Sequence, residues 1–297
     1  MSSSLIFMLL MFALISVAQT LAFMKKQVLS REFYLRVRSW WWMLLVLTLF
    51  VFLPISLMPL LVSFLAFIGS REIATASQLN AFTTGVLVAL MTLSILMSYW
   101  SVNLMVITGG LGVTVVVVSL LWRRDQGILS VSPALTALVS LIVLFTVYLF
   151  SFTLLLHNPN SGLALSYVLY LIFATQFNDA IQYFIGKKFG KRPLCATISP
   201  NKTVEGAIGG CIVVSLLATV VALCITPFSL SVALTISLVL TPLGVLGDVC
   251  VSWFKRRVGV KNMGTLIPGH GGVLDRIDSL LLSTPIFLLI VGSSILH

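Results

Sequence analysis

Stretches of about 20 apolar residues recur along this chain, and they constrain its fold more than any other feature. A stretch of this length crosses a bilayer as an α-helix, because a helix satisfies its own backbone hydrogen bonds there. Charged residues make up 9% of the 297 residues, far below the roughly 25% of soluble domains. We therefore predict an all-α, polytopic integral membrane protein. The apolar windows have the approximate limits 3–23, 80–100, 102–121, 132–156, 161–178, 204–226, 228–247 and 279–296.

Residues 40–69 decide the number of helices. The region opens with three tryptophans at 40–42, which are typical of a membrane interface, and Pro54 and Pro59 interrupt it. One tilted span, a hairpin or a re-entrant pair would each fit, so we predict about nine or ten helices in total. Two passes in 40–69 would bring every basic loop to the cytoplasmic side, where Lys and Arg are enriched. On that arrangement there are ten segments, and both termini lie outside.

Polar residues divide the chain into two regions. Residues 1–160 form an apolar transmembrane region, and residues 161–297 form a transmembrane region that carries the clustered polar groups. We expect 1–23 to be a retained helix, because its basic residues, Lys25 and Lys26, follow the apolar stretch instead of preceding it. The net charge of +10 is spread over short loops, so we expect anionic membrane lipids as partners and no nucleic acid. A homodimer is left open.

The first polar cluster lies where the window 161–178 ends, at Asn178 and Asp179. A carboxylate at the centre of a bilayer costs about 2.5–3.5 kcal/mol on insertion scales, so such a group usually faces a cavity or a partner. The simpler alternative is a carboxylate at the membrane interface with no role in a site. The residues predicted to share one helical face here are Asp179, Gln182, Tyr183 and Gly186.

The second cluster begins at Ser199, which precedes Pro200 and is predicted to cap the helix that follows. Free backbone N–H groups at such a start, together with Lys202, predict a phosphate site. Glu205 is either a metal ligand or a partner for Lys202. The alternative is a well-capped helix whose glycines allow close packing against another helix. Those glycines are Gly206, Gly209 and Gly210.

The third cluster holds three of the eight acidic residues of the chain, Asp248, Asp275 and Asp278. With about 100° of rotation per helical residue, Asp248, Ser252 and Lys255 fall in one stripe, and Arg256 lies close to it. Asp275 and Asp278 are three residues apart on another helical face. Two carboxylates in this arrangement suit Mg²⁺, with Mn²⁺ as a substitute, because hard cations prefer oxygen ligands and complete their shell with phosphates and water.

The bend between these two helices supplies groups for phosphate. His270, Gly271 and Gly272 can bring backbone N–H groups close to an anion, and the guanidinium of Arg276 can bind phosphate through two N–H groups. We expect His270 to donate a hydrogen bond rather than to abstract a proton. A membrane-embedded site with carboxylates for a divalent ion and several anion-binding groups indicates phosphoryl or nucleotidyl transfer on a lipid.

These clusters resemble the signature of the phosphatidate cytidylyltransferases, also called CDP-diacylglycerol synthases. The resemblance covers roughly residues 165–285 and rests on three segments in the order of the family. They are Asn178-Asp179 with Gly186–Gly190, then Ser199-Pro200-x-Lys202-Thr203-x-Glu205-Gly206, then Ser252-x-x-Lys255-Arg256, Lys261 and Pro268-Gly269-His270-Gly271-Gly272-Val273-Leu274-Asp275-Arg276-Ile277-Asp278.

The resemblance implies that phosphatidate attacks the α-phosphorus of CTP in an Mg²⁺-dependent reaction that releases pyrophosphate and forms CDP-diacylglycerol. It implies an active site on the cytoplasmic side of a membrane, which we expect to be a bacterial inner membrane. The implied catalytic residues are Asp248, Asp275, Asp278, Lys202 and Arg276, and the first three would bind the metal. The implied substrate-binding residues are Asp179, Ser199, Glu205, Ser252, Lys255, Arg256, Lys261, His270, Gly271 and Gly272.

One position departs from the family pattern, because Asn262 stands where the family usually has Asp. The change removes a carboxylate from residues 261–274, which we call the signature loop. It keeps open a homologue that binds its ligands without turnover. A CTP-dependent transferase acting on another lipid phosphate, such as an isoprenoid ether lipid, is also open. A transporter of anionic lipid or nucleotide fits less well, since transporters usually carry broken helices in both halves.

Overall fold

A computed structural model describes residues 45–46, 48–49, 57–77, 163–266 and 271–295. The predicted windows 3–23, 80–100, 102–121 and 132–156 lie outside the described residues, as do residue 160, where the two regions were divided, and His270. The total of nine or ten helices and the division into two regions therefore stay predictions. The described residues are mostly helical, and two of their helices are long and apolar enough to cross a membrane.

Helix α1, Met58–Ala76, begins inside the uncertain region 40–69 and ends beyond it. Pro59 lies in its first turn, where a proline lacks only an N–H that would have no helical partner, so this proline begins a helix and does not interrupt one. Near its C-terminal end the helix buries the side chains of Ser70, Glu72 and Ile73. An acidic residue therefore lies in a packed interface of this helix.

Four helices coincide with the predicted windows 161–178, 204–226, 228–247 and 279–296. They are α2, Ala164–Phe189, α3, Val204–Ile225, α4, Leu230–Arg257, and α6, Leu280–Ile295, with the short α5, Leu274–Ile277, before the last. Helices α2 and α4 continue about ten residues past the apolar windows, because a helix can carry on with polar residues after its apolar stretch ends. Basic residues occupy the last turns of both, where they favour the negative end of the helix dipole.

A small β-hairpin connects α2 to α3 and corrects the all-α prediction. Strand β1, Pro193–Cys195, pairs antiparallel with β2, Ser199–Thr203. Ser199 therefore lies in a strand and does not cap the helix. Thr203 is the cap, and its Oγ1 accepts a hydrogen bond from the Gly206 backbone N–H at 3.1 Å. Pro200 fits an extended edge strand because its fixed φ and missing N–H are tolerated there.

Glycines bring α2 and α3 into close contact, as the packing alternative for the second cluster predicted. A Cβ atom at Gly206 would lie 2.9 Å from the Cα of Gly186, and one at Gly210 would lie 2.4 Å from the Cγ of Gln182. Both distances are too short for real atoms. Only glycine allows the two backbones to approach in this way, which is the arrangement typical of small residues between membrane helices.

The core lies among α2, α3, α4 and α6. Tyr170 and Phe287 are fully buried in it with ring centroids 5.8 Å apart, and the Tyr170 hydroxyl pairs with Ser237 Oγ at 2.7 Å. Asp179 follows Tyr170 by nine residues on α2, which places it about 13 Å farther along the helix. The polar clusters therefore gather at the end of the helices beyond this core.

Candidate active site

Lys202, at the end of β2, holds the centre of a charged cluster. Its Nζ contacts Asp248 Oδ2 on α4 and lies 3.5 Å from Asp179 Oδ1 on α2. Asp278, which follows α5, adds a third carboxylate whose charge interacts with those of Asp248 and Asp179. We call Asp179, Asp248 and Asp278 the carboxylate cluster. Residues distant in sequence therefore meet around one ammonium group.

The environment changes the proton affinities of two groups at this point. Burial would lower the pKa of the Lys202 ammonium, but the nearby carboxylates of Asp248 and Asp179 outweigh burial and raise that pKa. Burial raises the pKa of the Asp278 carboxyl well above its ordinary value, and repulsion from Asp248 and Asp179 raises it further. Lys202 thus pairs with two carboxylates, while the charges of Lys255 and Arg276 offset part of the rise in the Asp278 pKa.

The predicted stripe on α4 is partly confirmed. Ser252 Oγ donates to Asp248 Oδ1 at 3.2 Å, and Lys255 Nζ donates to Asp275 Oδ1 at 2.9 Å. Arg256 points away and is exposed, with Nε donating to the carbonyl of Ile198 at 3.1 Å. Arg256 therefore ties α4 to the β-hairpin in this structure, and its contact with substrate stays a prediction.

Groups of the protein itself hold the Asp275 carboxylate. While Oδ1 binds Lys255, Oδ2 accepts from the backbone N–H groups of Met263 and Gly272, both at 2.9 Å. Both oxygens of this buried carboxylate are thus occupied by groups of the signature loop and by an ammonium. Asp275 therefore organises the loop, and the metal-binding roles of Asp248, Asp275 and Asp278 stay predictions.

Arg276 presents an unused donor. Its Nε is buried and has no hydrogen-bond partner within the described residues, while its charge interacts with those of Asp179 and Asp278. Gln176 Nε2 donates to the Arg276 carbonyl at 3.3 Å, which holds the backbone in place. A buried guanidinium N–H without a partner is costly, so this group is ready for an anion.

One prediction is a contact between Glu205 and Lys202, and the structure does not show it. Its Oε2 accepts from the backbone N–H groups of Lys191 and Arg192 at 3.0 and 3.1 Å, and its Oε1 pairs with Arg192 Nε at 3.0 Å. Both oxygens of Glu205, in the first turn of α3, therefore accept hydrogen bonds from the turn that follows α2. Glu205 thus pairs with Arg192 and not with Lys202, and its predicted role in metal or substrate binding stays a prediction.

The remaining predicted residues divide between the protein surface and the loop. Tyr183 is 62% exposed whereas Gln182 on the same helix is buried, so the face predicted for the first cluster lies partly at the surface. Lys261 and Asn262 are exposed in the loop after α4. Gly271 has a φ of +87°, a conformation that a side chain disfavours, and its backbone turns the chain toward Gly272 and Asp275. Ser199 is half-buried in β2.

Glu72 is the residue that the sequence analysis missed. It lies on α1, yet its carboxylate accepts hydrogen bonds from the backbone of the signature loop, from the Val273 N–H at 2.8 Å and the Leu274 N–H at 3.0 Å. The available signal was its rarity: Glu72 is one of only eight acidic residues in the chain. Ser70 and Arg71 precede it, but none of the polar clusters recognised in the sequence includes this segment.

No group of three His, Cys, Asp or Glu side chains forms a ready-made metal site among the residues that the structure describes. Lys202 lies against two of the three carboxylates that would have to converge. Mg²⁺ does not need such a set, because it usually binds one or two carboxylates together with substrate phosphates and water. The oxygen donors of the carboxylate cluster fit that mode of binding.

Comparison with known proteins gives one family match over most of the chain. Residues 34–294 match the model of the cytidylyltransferase family. A phosphatidate cytidylyltransferase of Aquifex aeolicus is 32% identical over 243 residues, which are 82% of this chain and 85% of the relative. The uncharacterized protein YnbB of Escherichia coli is 43% identical over 120 residues, and a phosphatidate cytidylyltransferase of Bacillus subtilis is 44% identical over 122 residues. These two matches span 40% and 45% of the relatives' own lengths.

Proposed function

The chain belongs to the cytidylyltransferase family, and from that membership we propose that it transfers the cytidylyl group of CTP to phosphatidate, forming CDP-diacylglycerol and pyrophosphate. The observation that carries the proposal is the cluster in which Lys202 contacts Asp248 and Asp179, while Arg276 offers a buried N–H that has no partner in the described part of the chain. Cations beside carboxylates are what a triphosphate and a divalent ion require together.

The proposed reaction joins two phosphates. An oxygen of the phosphatidate phosphate forms a bond to the α-phosphorus of CTP, and the bond from that phosphorus to the bridging oxygen of pyrophosphate breaks. The attacking oxygen is already ionised near neutral pH, since phosphate monoesters carry about −1.5 to −2 charge there. No general base is therefore needed. The residues act by positioning the two anions and by compensating the charge that collects between them.

Lys202 and Arg276 supply positive charge in this scheme. Lys202 would contact the triphosphate from β2 and exchange part of its interaction with Asp248 and Asp179 for phosphate oxygens. Arg276 would bind phosphate through the N–H that has no partner within the described residues. Ser252 and Lys255 lie on the same stripe of α4, with Lys255 bound to Asp275. They are proposed to accept the phosphatidate headgroup.

Mg²⁺, or Mn²⁺ in its place, is proposed as the cofactor. Asp248 and Asp278, with Asp179 beside them, would hold it, because they are the carboxylates around Lys202 and their oxygens suit a hard cation. When bound, the ion would neutralise phosphate charge and polarise the α-phosphorus. The raised pKa of Asp278 supports the assignment, because a carboxyl that resists ionisation beside two other carboxylates gains most from a second cation.

The lipid substrate requires a site at a membrane surface. We propose that the protein lies in a bacterial inner membrane with its site facing the cytoplasm. The support is the charge distribution: Lys191, Arg192 and Lys202 precede α3, and Lys255, Arg256 and Arg257 end α4, so both groups lie at one end of the two membrane-capable helices. Anionic lipids are the expected neighbours of these residues.

The direct test is conversion of phosphatidate and CTP to CDP-diacylglycerol by the purified full chain in detergent with Mg²⁺. We expect product and pyrophosphate in equal amounts, and we expect Asp248→Asn to lower the rate of both by at least about 100-fold while the protein stays folded. Lys188→Gln is the control, because Lys188 is exposed on the last turn of α2 and lies outside the cluster. Its turnover should match that of the unchanged protein.

A folded, unchanged protein that gives no product with several phosphatidate chain lengths, and none with Mn²⁺, would contradict the proposal. Other lipid phosphates would then be tried, including isoprenoid ether lipids. Asn262 bears on the remaining alternative, a homologue that binds without turnover. Its side chain is exposed, and the neighbouring Met263 backbone supplies the contact with Asp275. Activity that appears only in Asn262→Asp would favour that alternative.

A further inference from the structure

Glu72 connects two parts of the chain that lie about 200 residues apart. It is 8% exposed on α1, and its two carboxylate oxygens accept from two successive backbone N–H groups, Oε1 from Val273 and Oε2 from Leu274. Hydrogen bonds to a charged group are stronger than those between neutral groups, and these two are largely shielded from water. The contact therefore holds the two segments together more firmly than an exposed ion pair would.

Two glycines let the loop backbone come close to this carboxylate. A Cβ atom at Gly272 would lie 2.5 Å from Glu72 Oε2, and one at Gly264 would lie 2.9 Å from Oε1. Both distances are shorter than atoms can approach without displacement. The Glu72 carboxylate is thus enclosed by the loop at Gly264, at Gly272 and at the two N–H groups that follow.

A second carboxylate holds the same loop from its own side. Asp275 Oδ2 accepts from the N–H groups of Met263 and Gly272, so Glu72 and Asp275 both contact the chain around residues 263–274. The next residues are Arg276 and Asp278, which belong to the candidate site. A displacement of residues 272–274 would therefore also displace the Arg276 guanidinium and the Asp278 carboxylate.

We propose that Glu72 is a positioning residue, which fixes the backbone of residues 272–274 and thereby sets Arg276 and Asp278 for the reaction. Glu72 acts through the loop and not on substrate, since both of its oxygens are occupied by backbone N–H groups. The helix α1, from the part of the chain without family motifs, then takes part in building the site. The kinetic part of this inference rests on the proposed function, but the structural part does not.

The first experiment measures turnover in Glu72→Gln. Glutamine keeps the size of the side chain but puts an NH₂ donor against a backbone N–H, so one of the two hydrogen bonds is lost. We expect kcat to fall by about 100-fold, the scale of a misplacement of about 1 Å at a reacting centre. The KM values for CTP and phosphatidate should change by less than about threefold, because Glu72 contacts neither substrate. Arg71→Gln is the control, since Arg71 is the exposed neighbour on the same helix.

A double-mutant cycle with Gly264 tests whether the two residues act through one contact. In the unchanged protein, Gly264→Ala would place a methyl group against the carboxylate and should lower kcat by about tenfold. In a Glu72→Ala background that space is free, so adding Gly264→Ala should lower kcat by less than about twofold. Equal losses in the two backgrounds would show that Gly264 and Glu72 act independently. That result would contradict the proposal.

Hydrogen exchange of the backbone amides gives a readout that does not depend on activity. In Glu72→Gln the amides of residues 263–266 and 271–276 should exchange faster, while those of α3 and α4 should not change. Unchanged exchange together with unchanged kcat would overturn the inference. If the unchanged protein forms no CDP-diacylglycerol, the proposed function fails and the exchange result alone decides whether Glu72 holds the loop. If Glu72→Gln does not fold, the same measurements on Gly264→Ala, which leaves the carboxylate in place, decide the question.

Discussion

Lys202 is the residue on which the charge balance of the site depends. It is the cation in contact with Asp248 and within 3.5 Å of Asp179, so its removal leaves two carboxylates without their ion pairs. We expect Lys202→Met to lower kcat/KM for CTP by about 10²–10³-fold, the range found when one group that stabilises transition-state charge is removed. Steady-state kinetics with varied CTP would measure the effect.

Two further variants test whether the loss of activity comes from the position of the Lys202 ammonium or from surface charge. Lys202→Arg should recover only part of the activity, because a planar guanidinium cannot occupy the place of a compact ammonium between two carboxylates. Lys187→Met, which removes an exposed lysine from the last turn of α2, should leave kcat/KM unchanged. A loss of similar size in Lys187→Met would attribute the effect to surface charge instead of to the cluster.

Asp248 and Asp275 are predicted to differ in their response to metal. Since Asp275 binds Lys255 and two loop N–H groups, Asp275→Asn should lower kcat without moving the midpoint of an Mg²⁺ titration. Asp248→Asn should raise that midpoint by at least about tenfold in any activity that remains, because a ligand oxygen loses its charge. A shift of the midpoint in Asp275→Asn as large as in Asp248→Asn would support the predicted metal role of Asp275.

The Asp278 carboxyl predicts how metal affinity depends on pH. An unperturbed aspartate has a pKa of about 3.9. The pKa of Asp278 is raised above that value, so protons compete with Mg²⁺ for its carboxylate at higher pH than at an ordinary aspartate. Metal affinity should therefore weaken as pH falls through the raised pKa, and the Mg²⁺ midpoint should rise. In Asp278→Asn this dependence should flatten. A midpoint in the unchanged protein that stays constant with falling pH would contradict the assignment.

At the level of elements, the contact between α2 and α3 depends on Gly210. A Cβ atom there would lie 2.4 Å from Gln182 Cγ, so Gly210→Ala must separate the helices. Overpacking of this kind costs roughly 1–3 kcal/mol. Gly244→Ala on α4 is a matched control, because the nearest atom would lie 3.7 Å away and alanine favours a helix over glycine. Thermal unfolding in one detergent should give a lower midpoint for Gly210→Ala and an unchanged or higher one for Gly244→Ala.

Helices were easier to predict from this sequence than their ends or their contacts. Apolar length located α3 almost to the residue, because a membrane span is defined by that length. The same criterion stopped ten residues short on α4, where Asp248 and Lys255 continue the helix. The turn between α2 and α3 was misread at Ser199, since Ser-Pro suits a helix start and an edge strand equally well. Pairing with Pro193–Cys195 decides between them, and no local pattern reveals it.

For the candidate site, the sequence likewise indicated the residues better than their contacts. Asp179, Lys202, Asp248 and Asp278 were found as polar residues in apolar surroundings, but the sequence did not tell which would meet. Asp275 was placed with Asp278 because the two lie three residues apart, although the structure turns the Asp275 carboxylate toward Lys255. Glu72 was missed because its partners are backbone groups of glycine-rich chain. Every residue type except proline has the same backbone N–H and C=O groups, so the sequence does not show which of them will bind a side chain.

For the whole molecule, the position of the site relative to the membrane is the feature that most needs a test. Helices α3 and α4 are joined by residues 226–229, which carry no charge, whereas the basic residues lie at the opposite end with the carboxylate cluster. Positive charge is enriched on the cytoplasmic side. The connection should therefore face outward, and the C-terminal end of α4 should face the cytoplasm.

Cysteine labelling in spheroplasts measures this orientation. In a background without Cys195, Cys211, Cys224 and Cys250, a single Ser229→Cys should react with a membrane-impermeant maleimide in intact spheroplasts, because Ser229 is exposed in the uncharged connection. Arg257→Cys, at the exposed end of α4, should react only after permeabilisation. CTP is made in the cytoplasm, so the reverse pattern would separate the carboxylate cluster from its proposed nucleotide and contradict the proposed reaction even if both helices cross the membrane.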